Sequence, residues 1–192
     1  MRIKPILFNA DMVRAILDGR KTVTRRLVKP QPPVGATVIR RATDMWMWKL
    51  LDFDKDMIPP YQPGDILYVR ETFAQVAEHI FWYRATPPKG CENILWEPSI
   101  HMPKEAARIF LKVTDVRVER LRDIDDDGAK EEGANYNNGK NVGLEEKMRR
   151  TAIERFAEIW DSTIKKKDLS LYGWNANPWV WVIEFERTTN PE

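Results

Sequence analysis

Residues 179–186 are rich in Trp, Val, Ile and Phe and read as a strand, whose period of two places Trp179, Trp181, Ile183 and Phe185 on one face. Residues 106–121 add a second long extended stretch, with Ile109-Phe110-Leu111-Lys112-Val113 followed by Val116 and Val118. Its alternation slips near Asp115, which predicts a bulge. Further strands are predicted at Ile6-Leu7-Phe8, at residues 21–28, after the Pro63-Gly64-Asp65 turn at residues 66–73, and at residues 80–84.

Helical signals are fewer. Asn9 offers an N-cap, Val13, Ile16 and Leu17 follow at helical spacing, and Gly19 stands where a glycine ends a helix. Residues 123–133 read as a short acidic helix, and Leu144, Met148, Ala152, Phe156 and Trp160 recur at four-residue steps as one face of an amphipathic helix. Between residues 29 and 63, Pro30, Pro32, Pro33, Pro59, Pro60 and Pro63 break every pattern, so this stretch reads as an insertion holding one short hairpin, with Met45-Trp46-Met47-Trp48 packed onto the body. Residues 134–143 read as a mobile, Asn- and Gly-rich loop. The order predicts an α+β chain built on a small, mostly antiparallel barrel with flanking helices, in one domain over residues 1–192.

Composition excludes several functions. No apolar run approaches the roughly 20 residues of a membrane span, and the Met1-Arg2-Ile3-Lys4-Pro5 start lacks a signal-peptide core, so a cytoplasmic protein without a membrane partner is expected. Cys91 is the single cysteine and there are two histidines, His79 and His101, so neither a disulfide nor a zinc site is expected, and no cofactor is called for. The acids at 123, 125, 126 and 127 do not fit a calcium loop and read as helix-start acids. Formal net charge is +2, too small for bulk electrostatics to indicate a nucleic-acid partner.

Candidate chemistry centres on Gly19-Arg20-Lys21-Thr22-Val23-Thr24-Arg25-Arg26. Lys21 and Thr24 are three apart and would point to opposite sides of a straight strand. They converge only if the chain is still turning after Gly19. In the strand at 66–73, Leu67, Val69, Glu71 and Phe73 share a face, so Glu71 points inward and requires a partner, for which Lys21 is the candidate. The competing reading is a surface glutamate on a twisted edge strand.

These residues carry a resemblance. Residues 19–26 resemble the Gly-x-Lys-x-x-(Thr/Glu)-x-Arg signature of the activating signal cointegrator homology (ASCH) domains of the PUA-like superfamily, and Gly64-Asp65 with the strand ending in Glu71 resembles a second family segment. The chain as a whole is similar to longer ASCH-like proteins common in phages and prophages. The resemblance implies a PUA-like barrel that binds RNA or a modified nucleoside in a cleft beside the first helix. It also implies a relation to small bacterial amidohydrolases that deacylate N4-acetylcytidine with a lysine, a threonine and a glutamate, roles that fall on Lys21, Thr24 and Glu71. In that chemistry Thr24 attacks the acyl carbonyl, Lys21 takes its proton and Glu71 orients Lys21 or protonates the leaving amine. Two alternatives are a non-catalytic nucleic-acid-binding module and a ribonuclease using the same cleft.

Binding roles are expected of Arg20, Arg25 and Arg26, which suit phosphate or developing charge. Trp96, Ser99 and His101 form either one wall of the cleft or a structural turn. Trp174 and Asn175 either stack on and hydrogen-bond a base, or pack the barrel end.

Overall fold

The computed structural model describes residues 2–40, 45–51, 53–134 and 151–191. Ten strands are described, β1 (Ile3–Leu7), β2 (Val23–Leu27), β3 (Thr37–Arg40), β4 (Trp46–Leu50), β5 (Phe53–Met57), β6 (Ile66–Arg70), β7 (Phe73–Ala77), β8 (Ile80–Tyr83), β9 (Phe110–Arg120) and β10 (Trp179–Thr188). The helices that matter to the site are α1 (Ala10–Leu17), α2 (Asp126–Glu131) and α3 (Ala152–Thr163). The molecule is α+β and mostly antiparallel, as the strand patterns predict.

The central sheet has the order β1-β6-β9-β10-β2. Its only parallel pair is β1 with β6; the others are antiparallel. Register slips by one residue where Glu184 faces Asp115 but Phe185 faces Val113, leaving Thr114 as the extra residue. This is the bulge that the broken alternation predicts, and it bends the two longest strands. The sheet curls until the end of β1 faces β2. The Arg26 guanidinium donates to the Leu7 carbonyl at 3.0 Å and lies over the Phe8 ring, 5.3 Å from its centroid. Among the described residues no backbone ladder joins β1 to β2, so the barrel is open along this seam.

Strand β10 separates two cores because its faces alternate. Trp181, Ile183 and Phe185 enter one core with Ile6, Leu67, Val69 and Leu111. Val180 and Val182 face the other, with Leu121, Ala129, Phe156 and Trp160. The second core seats α2 and α3 against the sheet. Helix α3 opens with a capping box, Thr151 accepting from the Glu154 amide while Glu154 accepts from the Thr151 amide. Asp126 reaches across from α2 to accept from the Ala152 amide. The helical positions Leu144 and Met148 lie outside the described residues, as does the loop read at 134–143 apart from Ala134.

The Pro-rich stretch holds more order than one hairpin. It forms a three-stranded antiparallel sheet, β3-β4-β5. Met47 and Trp48 are buried, and Trp46 meets Trp181 edge-on with ring centroids 6.5 Å apart. Prolines bound this sheet rather than interrupt it, so counting them obscured the alternating Trp46-Met47-Trp48 between them. The strand read at 66–73 is also two elements. It leaves the central sheet after Arg70, and β7 pairs with β8 as a separate hairpin.

Helices α1 and α2 end in the same way. At α1 the Gly19 amide donates to Ile16 and the Arg20 amide to Ala15; at α2 the Gly133 amide donates to Lys130 and the Ala134 amide to Ala129. Both are Schellman ends with a left-handed glycine, φ 72° at Gly19 and 84° at Gly133. The two ends abut. A β-carbon on Gly133 would sit 3.0 Å from that of Ala15, inside van der Waals contact, whereas one on Gly19 would meet nothing within 4 Å. Gly19→Ala is therefore expected to cost about 1–2 kcal/mol, the left-handed penalty alone, and Gly133→Ala distinctly more. Urea unfolding of both variants measures the difference; equal losses would mean that the helix ends do not press together.

Candidate functional site

Lys21 follows directly from the turn at Gly19. Its amide donates to Ala15, and its backbone forms an isolated bridge with Glu132, the C-cap of α2. The turn lies at Asp18-Gly19, Lys21 is already bridged to Glu132, and β2 begins at Val23. The Lys21 side chain is fully buried. Its Nζ donates to the Val23 carbonyl at 2.7 Å, the Glu132 carbonyl at 3.0 Å and Glu132 Oε2 at 2.6 Å. An ammonium has three hydrogens, and all three are engaged. Burial draws the Lys21 pKa below its ordinary 10.5; Glu132 pulls the other way, and Arg26 and Arg25 add to the lowering.

The expected Lys21–Glu71 pair does not form. Glu71 is buried and inward-facing, as the strand pattern requires, but both of its oxygens are taken by Arg108, Nε to Oε1 at 2.8 Å and Nη2 to Oε2 at 3.0 Å. Arg108 in turn lies 4.0 Å from the Tyr83 ring centroid and donates to Thr86. This bidentate pair anchors the β7–β8 excursion to the sheet, which is a structural role. The chain departs after Arg70, and Glu71 goes with it. Among the described residues Lys21 donates to neither Glu71 nor Thr24.

A cleft of about 440 Å³ occupies the barrel seam, within the roughly 300–1,000 Å³ of ligand pockets. One wall is the end of β1, Leu7-Phe8-Asn9; the other is Thr24-Arg25-Arg26 on β2. Helix α3 contributes Phe156, Ile159 and Trp160. Tyr61, Thr72 and Ser99 stand at the rim, and Glu132 reaches the floor. Tyr61 belongs to the Pro-rich stretch, so that insertion does reach the cleft. Desolvation raises the Tyr61 phenol above its ordinary 10.0, and its hydroxyl donates to the Pro5 carbonyl. A smaller cavity of about 210 Å³ adjoins between α1 and α3.

Arg25 differs from Lys21 in being poorly satisfied. It is 5% exposed, yet its contacts to Glu132 Oε1 and Glu119 Oε2 are each 3.5 Å, longer than the about 2.7–3.2 Å of ordinary hydrogen bonds. Its Nε has no acceptor among the described residues. A buried guanidinium on the cleft wall thus keeps one buried donor without an acceptor among the described residues. Its stack on Phe156, 5.9 Å to the ring centroid, fixes the plane.

Of the residues expected at the site, Thr24, Arg25, Arg26 and Ser99 line the cleft, and Lys21 lies behind its floor. The rest are elsewhere. Arg20 pairs with Asp18 at 2.8 Å beside the helix end. Trp96 is half-buried and His101 exposed, and neither lines the cleft. Trp174 packs edge-on against Phe156, with centroids 6.1 Å apart, and Asn175 is exposed in the short turn after it. The barrel-end reading holds for Trp174 because the second core needs a lid there. Glu132, Phe8, Phe156 and Trp160 escaped the sequence reading. Gly133 marked a helix end directly after Glu132, but nothing in the sequence pointed that end at Lys21.

No family model matches the sequence, and no curated protein does. Two solved structures are similar to this chain. A hypothetical protein of known crystal structure superposes with a TM-score of 0.42 and 13% identity, over 98% of this chain and 100% of that one. The ASCH domain from Lactobacillus crispatus JV V101 does so with a TM-score of 0.39 and 14% identity, over 97% of this chain and 79% of that one. Both likenesses are remote, and the chemistry of the cleft stands on this chain's own residues.

The lowered Lys21 pKa has a sign that can be tested. A lysine with a folded pKa below its unfolded value binds fewer protons when folded, so its contribution to stability rises with pH between the folded pKa and 10.5. Urea unfolding of the wild type and of Lys21→Met across pH 7 to 10 should give a stability difference that shifts in favour of the wild type as pH rises. A difference that shifts the other way would mean that Glu132 outweighs burial.

Proposed function

We propose that the seam cleft binds a single unpaired base, either in RNA or as a modified nucleoside. The observation that carries this reading is Arg25, buried on the cleft wall with a free Nε and two stretched ion pairs. A base presents carbonyl oxygens and ring nitrogens that accept from such a group, and it stacks on aromatic faces. Phe8, Phe156 and Trp160 give the cleft an aromatic lining, although all three rings are largely buried, Phe8 under Arg26 and Phe156 against Arg25. Asn9, Thr24, Tyr61 and Ser99 add the few polar groups that fix orientation.

Hydrolysis of an N4-acylated cytidine is a second reading, favoured by the lowered pKa of Lys21 and the position of Thr24 on the wall. In that reaction the Thr24 hydroxyl adds to the acyl carbonyl and loses its proton to the neutral Lys21 amine. The C–N bond breaks as that proton passes to the departing amine, and water then releases the acyl group from Thr24. Glu132, rather than Glu71, would be the carboxylate that orients Lys21. Against it stand the three hydrogen bonds that hold Nζ away from Thr24. Binding is therefore the primary reading, and catalysis requires that Lys21 exchange one partner.

Two measurements separate these. Arg25→Met should weaken binding of cytidine or a short single-stranded RNA about tenfold or more, as loss of a charge-assisted hydrogen bond implies, with a folded circular dichroism spectrum retained. Unchanged affinity would remove Arg25 from the site and the reading with it. Incubation of the wild type with N4-acetylcytidine, followed by chromatography, tests hydrolysis; no release of cytidine would leave binding alone.

A further inference from the structure

The cleft does not end at Arg26. A second, more open hollow of about 350 Å³ continues from it along the end of β2 and shares Arg25, Arg26, Trp160 and Thr163 with the cleft. Lys29 lines its far end, and among the described residues no carboxylate lines it. The base cleft, by contrast, has Glu132 on its floor. The charges in the hollow are also uncommitted. Arg26 donates only to backbone carbonyls, those of Arg25 and Leu7, and forms no ion pair among the described residues. Lys29 is exposed and forms none either; its Nζ lies over the Tyr172 ring, 5.8 Å from the centroid. Several other cations near the site are paired. Arg20 is paired with Asp18, Arg108 with Glu71, and Arg117 with Glu119 and Glu184.

Arg26 near the end of β2 and Lys29 in the bend after it both line the hollow. They flank an open passage that joins the half-open base cleft. A free nucleoside would fill the cleft and leave this passage unused. A nucleotide within a strand has a phosphate on each side of its sugar and needs an exit for the chain. We infer that the hollow formed by Arg26, Lys29 and Trp160 is a backbone-phosphate subsite, so that the natural ligand is a base carried in single-stranded RNA rather than a free nucleoside. This rests on the reading that the cleft takes a base. Arg26 and Lys29 hold the phosphodiester on the side where the chain leaves. Arg25 reads the base, and the edge of Trp160 sits between the two subsites.

Three probes test the subsite: cytidine, cytidine 5′-monophosphate and a short single-stranded pyrimidine RNA, titrated into the full chain at several salt concentrations. The RNA is expected to bind at least tenfold more tightly than cytidine at low salt. Its affinity should fall with rising salt, and the logarithmic slope should become shallower by about 0.7 in Lys29→Gln, the value for one lost single-strand phosphate contact. Lys166→Gln, an exposed lysine outside the hollow, should keep the wild-type slope. RNA that binds no more tightly than cytidine, or a slope unchanged in Lys29→Gln, would overturn the subsite while leaving the base cleft standing. RNA that binds no more tightly than the monophosphate would confine the subsite to a terminal phosphate and overturn the strand. If neither cytidine nor RNA binds, the base cleft fails, and the subsite fails with it.

Discussion

The Lys21 ammonium is enclosed by three oxygens from two different segments, the Val23 carbonyl and both the carbonyl and the carboxylate of Glu132. Burying such a charge costs several kcal/mol unless every hydrogen is matched, and here each is. The arrangement fixes three elements at one point: the end of α1, which delivers Lys21, the start of β2, which supplies the Val23 carbonyl, and the end of α2, which supplies Glu132. Each element reaches that point through a left-handed glycine or a strand start. The position of β2, and with it one wall of the cleft, follows from the pair. A carboxylate at the C-cap of a helix faces unsatisfied carbonyls, an unfavourable place for an anion. The buried lysine, bonded to carboxylate and carbonyl together, offsets that repulsion.

Glu132 also sets how Arg25 is used. Its second oxygen is 3.5 Å from Arg25, while Glu119 stands at the same distance on the far side. Glu132 gives Oε2 to Lys21 at 2.6 Å and meets Arg25 through Oε1 only at 3.5 Å. The guanidinium is thus held in place by two weak pairs and a ring, with a donor left over. A fully paired lysine and an under-paired arginine, side by side on one carboxylate, divide the labour of the site. The first builds the floor, and in the proposed function the second meets the ligand. That division favours recognition over catalysis, because a proton acceptor must have a free lone pair, and Lys21 spends its hydrogens on the fold.

Much of this was legible in the sequence for a physical reason: local patterns report local structure. The period of two through Trp179, Trp181, Ile183 and Phe185 gave β10 and its inner face, and the slip near Asp115 gave the bulge. Asn9 and Gly19 gave both ends of α1. What failed depended on long-range partners. Glu71 was read correctly as an inward carboxylate, but two cations were available to it, and sequence spacing cannot choose between Lys21 and Arg108. Glu132 was hidden for the same reason, since 111 residues separate it from Lys21. The Trp46–Trp48 stretch reads as part of an insertion with one short hairpin, rather than three strands, because flanking prolines dominate its composition although they bound the strands. Trp174, a candidate for stacking on a base, packs against the second core, whose other members include residues of β2, β10, α2 and α3.

The central claim is that Lys21 and Glu132 act as one unit and that Glu71 belongs to another. A pair of double-mutant cycles measured by urea unfolding tests it directly, one across Lys21→Met and Glu132→Leu and the other across Lys21→Met and Glu71→Leu. The first should show a coupling of about 2–3 kcal/mol, because each single change strands a buried charge and the double change removes both. The second should be additive to within about 0.5 kcal/mol. Coupling between Lys21 and Glu71, with additivity between Lys21 and Glu132, would contradict the account.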